Sequence, residues 1–149
     1  MSTGRGSTGA PMGNMLPELE PGQAFWRGIV TTLVVTLPAG ILNQILVDSG
    51  DIETDSPLAM IFWLLILLGG AAGGWAVIRL APTARLGLAA GAAAVAYVIT
   101  QSFGVIKRLI EGEHISWLAY PFLALLMATC GMLGGMFARR WMSQNGPKP

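Results

Sequence analysis

Four apolar stretches, residues 25–47, 58–78, 86–106 and 115–137, alternate with short polar segments along the chain. A helix needs roughly 20 such residues to cross a hydrocarbon core, so each stretch is long enough to span a membrane. None contains an acidic residue. The only basic side chain within them, Arg27, lies two residues from a span end, where it can snorkel to the headgroups. Runs such as residues 61–68 are apolar on every face, which excludes the alternation of a lipid-facing barrel strand. The pattern predicts an all-α polytopic membrane protein, with four transmembrane helices forming an antiparallel bundle over residues 25–140. Residues 1–24 are rich in Gly, Ser, Thr and Pro without apolar periodicity and are predicted to form a disordered tail. Residues 141–149 are predicted to form a short second tail. The leading segment has no apolar core of the kind a signal peptide carries, so the first span is expected to act as an uncleaved anchor.

Composition narrows the chemistry. Of 149 residues, 53% are hydrophobic and only 11% charged, against about a quarter charged in soluble domains. The net charge of +1 leaves no cationic excess for a polyphosphate backbone, which excludes nucleic acid as a partner. One cysteine, Cys130, and one histidine, His114, cannot make an intramolecular disulfide or the usual zinc site. No metal or cofactor is expected. The candidate reactive groups lie at different depths, so no catalytic residue is assigned. Proton-coupled transport ordinarily uses an intramembrane carboxylate or histidine, and the spans hold neither.

Loop charges predict the orientation. With both termini cytoplasmic, seven of the nine basic residues (Arg5, Arg27, Arg79, Arg85, Arg139, Arg140, Lys148) lie inside. Lys107 and Arg108 then lie outside, with Glu111 one turn on as a helical partner for Lys107. The loop with Asp48, Asp51, Glu53 and Asp55 also lies outside. Trp26, Trp75 and Trp141 fall near the inner interface and Trp117 near the outer one, where amphipathic rings collect. Trp63 is deeper and is assigned to packing. Seven arginines against two lysines, with abundant Ala and Gly, suggest a GC-rich bacterial genome and hence a cytoplasmic membrane.

The strongest motif is glycine at intervals of four: Gly69 with Gly73, Gly70 with Gly74, Gly87 with Gly91, and Gly131 with Gly135, Gly134 lying beside the last pair. Such GxxxG pairs let helix backbones approach closely in lipid, where no hydrophobic drive brings helices together. They predict helix packing within the bundle or self-association in the inner half. Asn43, Gln44, Thr100 and Gln101 are polar positions at the opposite depth. Gln101 continues the stripe through Gly87, Gly91, Ala94 and Val98 and is expected to face a helix, with Asn43 or Gln44 as partner. Two accounts stay open: an interhelical hydrogen bond, or a polar vestibule open to the outside. Pro38 cannot donate to the Val34 carbonyl and is expected to kink or break the first span, either as an ordinary kink or as the discontinuous helix of a transporter.

Asp51, Glu53 and Asp55 have the spacing of an EF-hand start, but Ser56 replaces the glycine and the twelfth position is Phe62, which excludes that site. Ser56 and Pro57 predict instead the N-cap and first residue of the second span. His114 is expected to be a solvated loop residue. Gly70-Ala-Ala-Gly-Gly74 matches Gly131-Met-Leu-Gly-Gly135 at an offset of 61, with Arg79 and Arg140 following. Duplication of a two-helix hairpin and convergence on small-residue packing both account for the match.

The Gly-rich stretch 69–74, Arg79, the Gly87/Gly91 step, residues 112–117 and the final glycines before Arg139 and Arg140 together resemble small four-span bacterial integral membrane proteins of uncharacterised function. The resemblance covers residues 25–140 and implies no activity or site. The lipid bilayer is the first partner. The functional expectation is a non-catalytic scaffold or accessory subunit that packs on other membrane proteins. The alternative is a small-solute channel or facilitator built by a homo-oligomer.

Overall fold

The computed structural model describes residues 18–53, 56–112 and 118–145. Four helices account for nearly all of them: α1 (Pro21–Asp48), α2 (Pro57–Leu80), α3 (Leu86–Glu111) and α4 (Ala119–Asn145). Each is long and apolar enough to cross a membrane, and no strand occurs among the described residues. The chain is a four-helix, multi-pass membrane bundle.

The helix boundaries follow local chemistry and extend beyond the spans read from hydropathy. Helix α1 starts at Pro21 rather than Phe25, because proline at the first position lacks only a donor the helix would leave unused. Ala24 is fully buried and the Leu19 N–H donates to the Leu80 carbonyl at 3.1 Å, so Leu19 and Ala24 are docked on the bundle, whereas residues 20–23 are exposed. Residues 1–17 lie outside the described set. Ser56 caps α2 by accepting from the Ala59 N–H at 3.2 Å, with Pro57 following it. Helix α3 ends at Gly112, whose φ of 70° supplies the left-handed cap that glycine adopts most cheaply. Helix α4 runs to Asn145, so residues 141–145, expected as tail, are helical.

Around the bundle α1 packs on α2, α2 on α4, α4 on α3 and α3 on α1. Helices α2 and α3 also touch across the middle, whereas α1 and α4 do not meet among the described residues. Since direction alternates along the chain, α2 and α4 are parallel neighbours, as are α1 and α3. Burial is concentrated at one end, which holds Pro21, the link at residues 81–85 and the end of α4. There Ile29, Val77, Ile78 and the alanines of α3 form the core. Toward the other end few side chains are buried, and none among the described side chains of α3 beyond Tyr97. These are called below the tight and loose ends.

Candidate functional site

Glycines build the tight end. The two doublets of α2 present two adjacent helix faces, because consecutive residues point about 100° apart on a helix. Gly69 and Gly73 face α1: a Cβ at Gly69 would lie 2.8 Å from Thr36 Cγ2, and one at Gly73 would lie 2.7 Å from the Gly28 carbonyl oxygen. Gly70 and Gly74 face α4. A Cβ at Gly70 would lie 3.0 Å from Met127 Cε, and one at Gly74 would lie 2.6 Å from the Gly131 carbonyl carbon. On α4, Gly134 faces Ala71, while Gly131 and Gly135 meet Ala89 of α3. At Gly73, Gly74, Gly131 and Gly134 the seams are therefore backbone against backbone, the arrangement that gives helices dispersion energy in lipid.

Gly87 does not belong to these seams. Nothing lies within 4 Å of where its Cβ would be, and Gly91 meets only the Phe25 ring, at 3.4 Å. The packing face of α3 is instead Ala89, Ala92, Ala93, Ala96 and Tyr97, at intervals of three and four. Val98, expected on the protein-facing stripe, is 54% exposed. Small size decided the face, and alanine supplied it without glycine. Gly28 was missed altogether; it lies 3.1 Å from the Gly73 carbonyl oxygen by the same measure. Its signal was the small-residue spacing Gly28, Thr32, Thr36, all buried on α1.

The aligned Gly-x-x-Gly-Gly segments play unlike parts. Gly73 faces α1 but its counterpart Gly134 faces α2; Gly70 faces α4 but Gly131 meets α3. Gly74 and Gly135 correspond in part, Gly74 facing α4 and Gly135 meeting Ile78 of α2 at 3.0 Å.

Uncharged polar side chains within the helices spend their bonds inside the same helix. Thr100 donates to the Ala96 carbonyl at 3.0 Å and Ser102 to Val98 at 2.7 Å. Gln44 is exposed and donates to Asp48 Oδ1 at 2.8 Å. Gln101 is half-buried, its Oε1 lies 3.8 Å from where a Cβ at Gly104 would be, and no hydrogen bond joins it to Asn43 or Gln44. The expected carboxamide pair is absent because a short intrahelical reach competes with a span across loosely packed helices. Thr36 Oγ1, Asn43 Oδ1 and the Tyr97 hydroxyl are buried without a partner. Pro38 lies on an exposed face, and helical structure continues through it, so the half-helices of a transporter site are not formed.

At the loose end Lys107 Nζ meets Asp48 Oδ2 at 2.7 Å and ties α3 to α1, a partner on another helix that sequence spacing could not reveal. Gly50, with φ of 77°, turns the loop after α1, and Ser49 donates to Asp51 at 2.7 Å. Asp55, His114 and Trp117 lie outside the described residues, as does the side chain of Glu111. Among the described residues no group of three His, Cys, Asp or Glu could hold a metal ion.

At the tight end Arg79 lies over the rings of Trp75 and Trp141, 4.8 and 5.8 Å from their centroids, a cation–π stack at the level where aromatic residues collect. Arg139 donates to the Ala84 carbonyl and anchors the link between α2 and α3. Trp63 is 38% exposed and faces outward, not into the packing. No family model, curated protein or solved structure matches the chain.

Proposed function

We propose that the protein is a non-catalytic accessory or scaffold subunit of a bacterial cytoplasmic membrane assembly, with both termini in the cytoplasm. The observation that carries this reading is the unequal packing of the bundle. Its tight end is sealed by close glycine seams, and among the described residues the buried polar side chains there are Thr32 and Thr36. Its loose end leaves Phe103, Ile106, Leu109 and Ile110 of α3 between 55% and 81% exposed. A helix of another membrane protein packing there would complete the unfinished half, by the same van der Waals packing that the glycines provide at the sealed end. The glycine faces themselves are occupied within the chain, so the docking surface moves from them to the outer part of α3.

A photo-crosslinking residue at Phe103, compared with one at exposed Leu133 of α4, tests this in intact cells. Phe103 is expected to give one discrete protein adduct in near-stoichiometric yield and Leu133 only lipid adducts. Lipid adducts at both positions would overturn the reading.

The second reading, a small-solute facilitator, is favoured by the three buried polar atoms without partners, Thr36 Oγ1, Asn43 Oδ1 and the Tyr97 hydroxyl. Water or a polar solute entering from the loose end would satisfy them. The glycine seams oppose it, because they close the other end.

A further inference from the structure

Gly87 poses a question that its own chain does not answer. It is the second residue of α3, and no neighbouring atom requires a glycine there. The space it leaves belongs to an open groove at the tight end, about 450 Å³ in volume, between the start of α1 and the start of α3. Its walls are Pro21, Phe25, Gly87 and Leu88, and its mouth carries Thr83 and Arg85. The groove exists because the Phe25 ring covers Gly91, whereas Gly87, one turn nearer the mouth, is uncovered.

We infer that this groove binds a phospholipid with an anionic headgroup, an acyl chain lying against Phe25, Gly87 and Leu88 and the phosphate at Arg85. Two observations independent of the cavity point to that occupant. The first is charge. Arg85 is exposed and has no carboxylate partner among the described residues. Arg27, Arg79, Arg139 and Arg140 share its end of the bundle, against Glu18 and Glu20 as the described acids there. Cations at a membrane surface attract anionic lipid. The second is depth. Trp75 and Trp141 lie at the same end under Arg79, where amphipathic rings are expected at the headgroup level, so a cationic mouth above an apolar groove matches a phosphate above a chain. The Arg139 bond to the Ala84 carbonyl fixes the backbone immediately before Arg85 and gives the mouth a rigid frame.

The test uses the full chain, delipidated in detergent, with phosphatidylglycerol and phosphatidylcholine of identical acyl chains, read by native mass spectrometry. Wild type is expected to bind one phosphatidylglycerol saturably and at least fivefold more tightly than phosphatidylcholine. A Cβ at Gly87 meets nothing within 4 Å, so Gly87→Leu is expected to fold, to place its side chain in the groove against Phe25 and Leu88, and to lose the site for both lipids. Arg85→Gln is expected to weaken phosphatidylglycerol about fivefold, the effect of one arginine near an anionic surface, and to leave phosphatidylcholine unchanged. Arg140→Gln, at the same end but outside the groove, is expected to change either affinity less than twofold. Wild-type binding by Gly87→Leu would overturn the proposal, as would equal losses in Arg85→Gln and Arg140→Gln, which indicate diffuse attraction. Crosslinking of Gly87→Cys to the chain's own leading segment or to a second copy, with lipid present, would also overturn it.

Discussion

A methyl group at Gly74 is the sharpest probe of the glycine seams. Its carbon would lie 2.6 Å from the Gly131 carbonyl carbon and 2.7 Å from its Cα, whereas carbon atoms rest about 3.5–4.0 Å apart. Both neighbours are backbone, so no side chain can rotate away, and α2 and α4 must separate locally by about 1 Å. A gap of that size forfeits a quarter to a half of each pairwise attraction, worth about 0.1–0.2 kcal/mol apiece. If the seam holds about 40 such pairs, as many as one buried leucine makes, the loss is about 2 kcal/mol. Alanine returns up to about 1 kcal/mol of helix propensity, so Gly74→Ala is expected to destabilise by about 1–2 kcal/mol. Gly87→Ala, which meets nothing within 4 Å, keeps the propensity gain and is expected to be neutral or stabilising. Unfolding of both variants in mixed micelles with rising dodecyl sulfate, followed by tryptophan fluorescence, measures the difference. A Gly74→Ala variant as stable as wild type, or a Gly87→Ala variant less stable than Gly74→Ala, would refute the seam argument.

Other expectations follow from individual contacts. Ser56→Ala removes the only side-chain cap of α2 and is expected to cost about 1 kcal/mol in the same assay; no loss would show that lipid-phase packing holds the helix end without the cap. Lys107→Met breaks a pair whose side chains are 47% and 46% exposed, so it is expected to cost less than about 1 kcal/mol, with the difference shrinking at high salt. Gln101→Leu removes no interhelical hydrogen bond and is expected to shift stability by less than about 0.5 kcal/mol; a loss above 2 kcal/mol would restore the carboxamide pair. For orientation, Ser49→Cys is expected to react with a membrane-impermeant thiol reagent in intact cells and Thr83→Cys to stay protected, and the reverse pattern would invert the topology.

What could be read from the chain depended on the range of the interaction. Span number and helix character come from composition over about 20 residues and were legible. The Ser56–Pro57 start of α2 was legible as well, being a local cap. Which neighbour each glycine meets was not, since Gly73 and Gly74 differ by one residue yet serve α1 and α4 respectively. The inward face of α3 was misplaced because alanine packs there as well as glycine, and a search for glycine alone passes over it. Gln44 was expected to face protein, but Asp48 one turn away captured it. The bond between Lys107 and Asp48 joins residues 59 apart, and only the folded bundle brings them together.

Solute flux is the most direct test of the claim that the bundle is a sealed packing element with an open docking face. Proteoliposomes carrying the full chain, mixed with hyperosmotic urea or glycerol and followed by light scattering, report any permeation through the helices. Re-swelling rates equal to those of protein-free liposomes are expected, because the glycine seams close the tight end. Re-swelling several-fold faster, and slowed by Tyr97→Phe or Thr36→Val, would contradict the account and establish the facilitator reading.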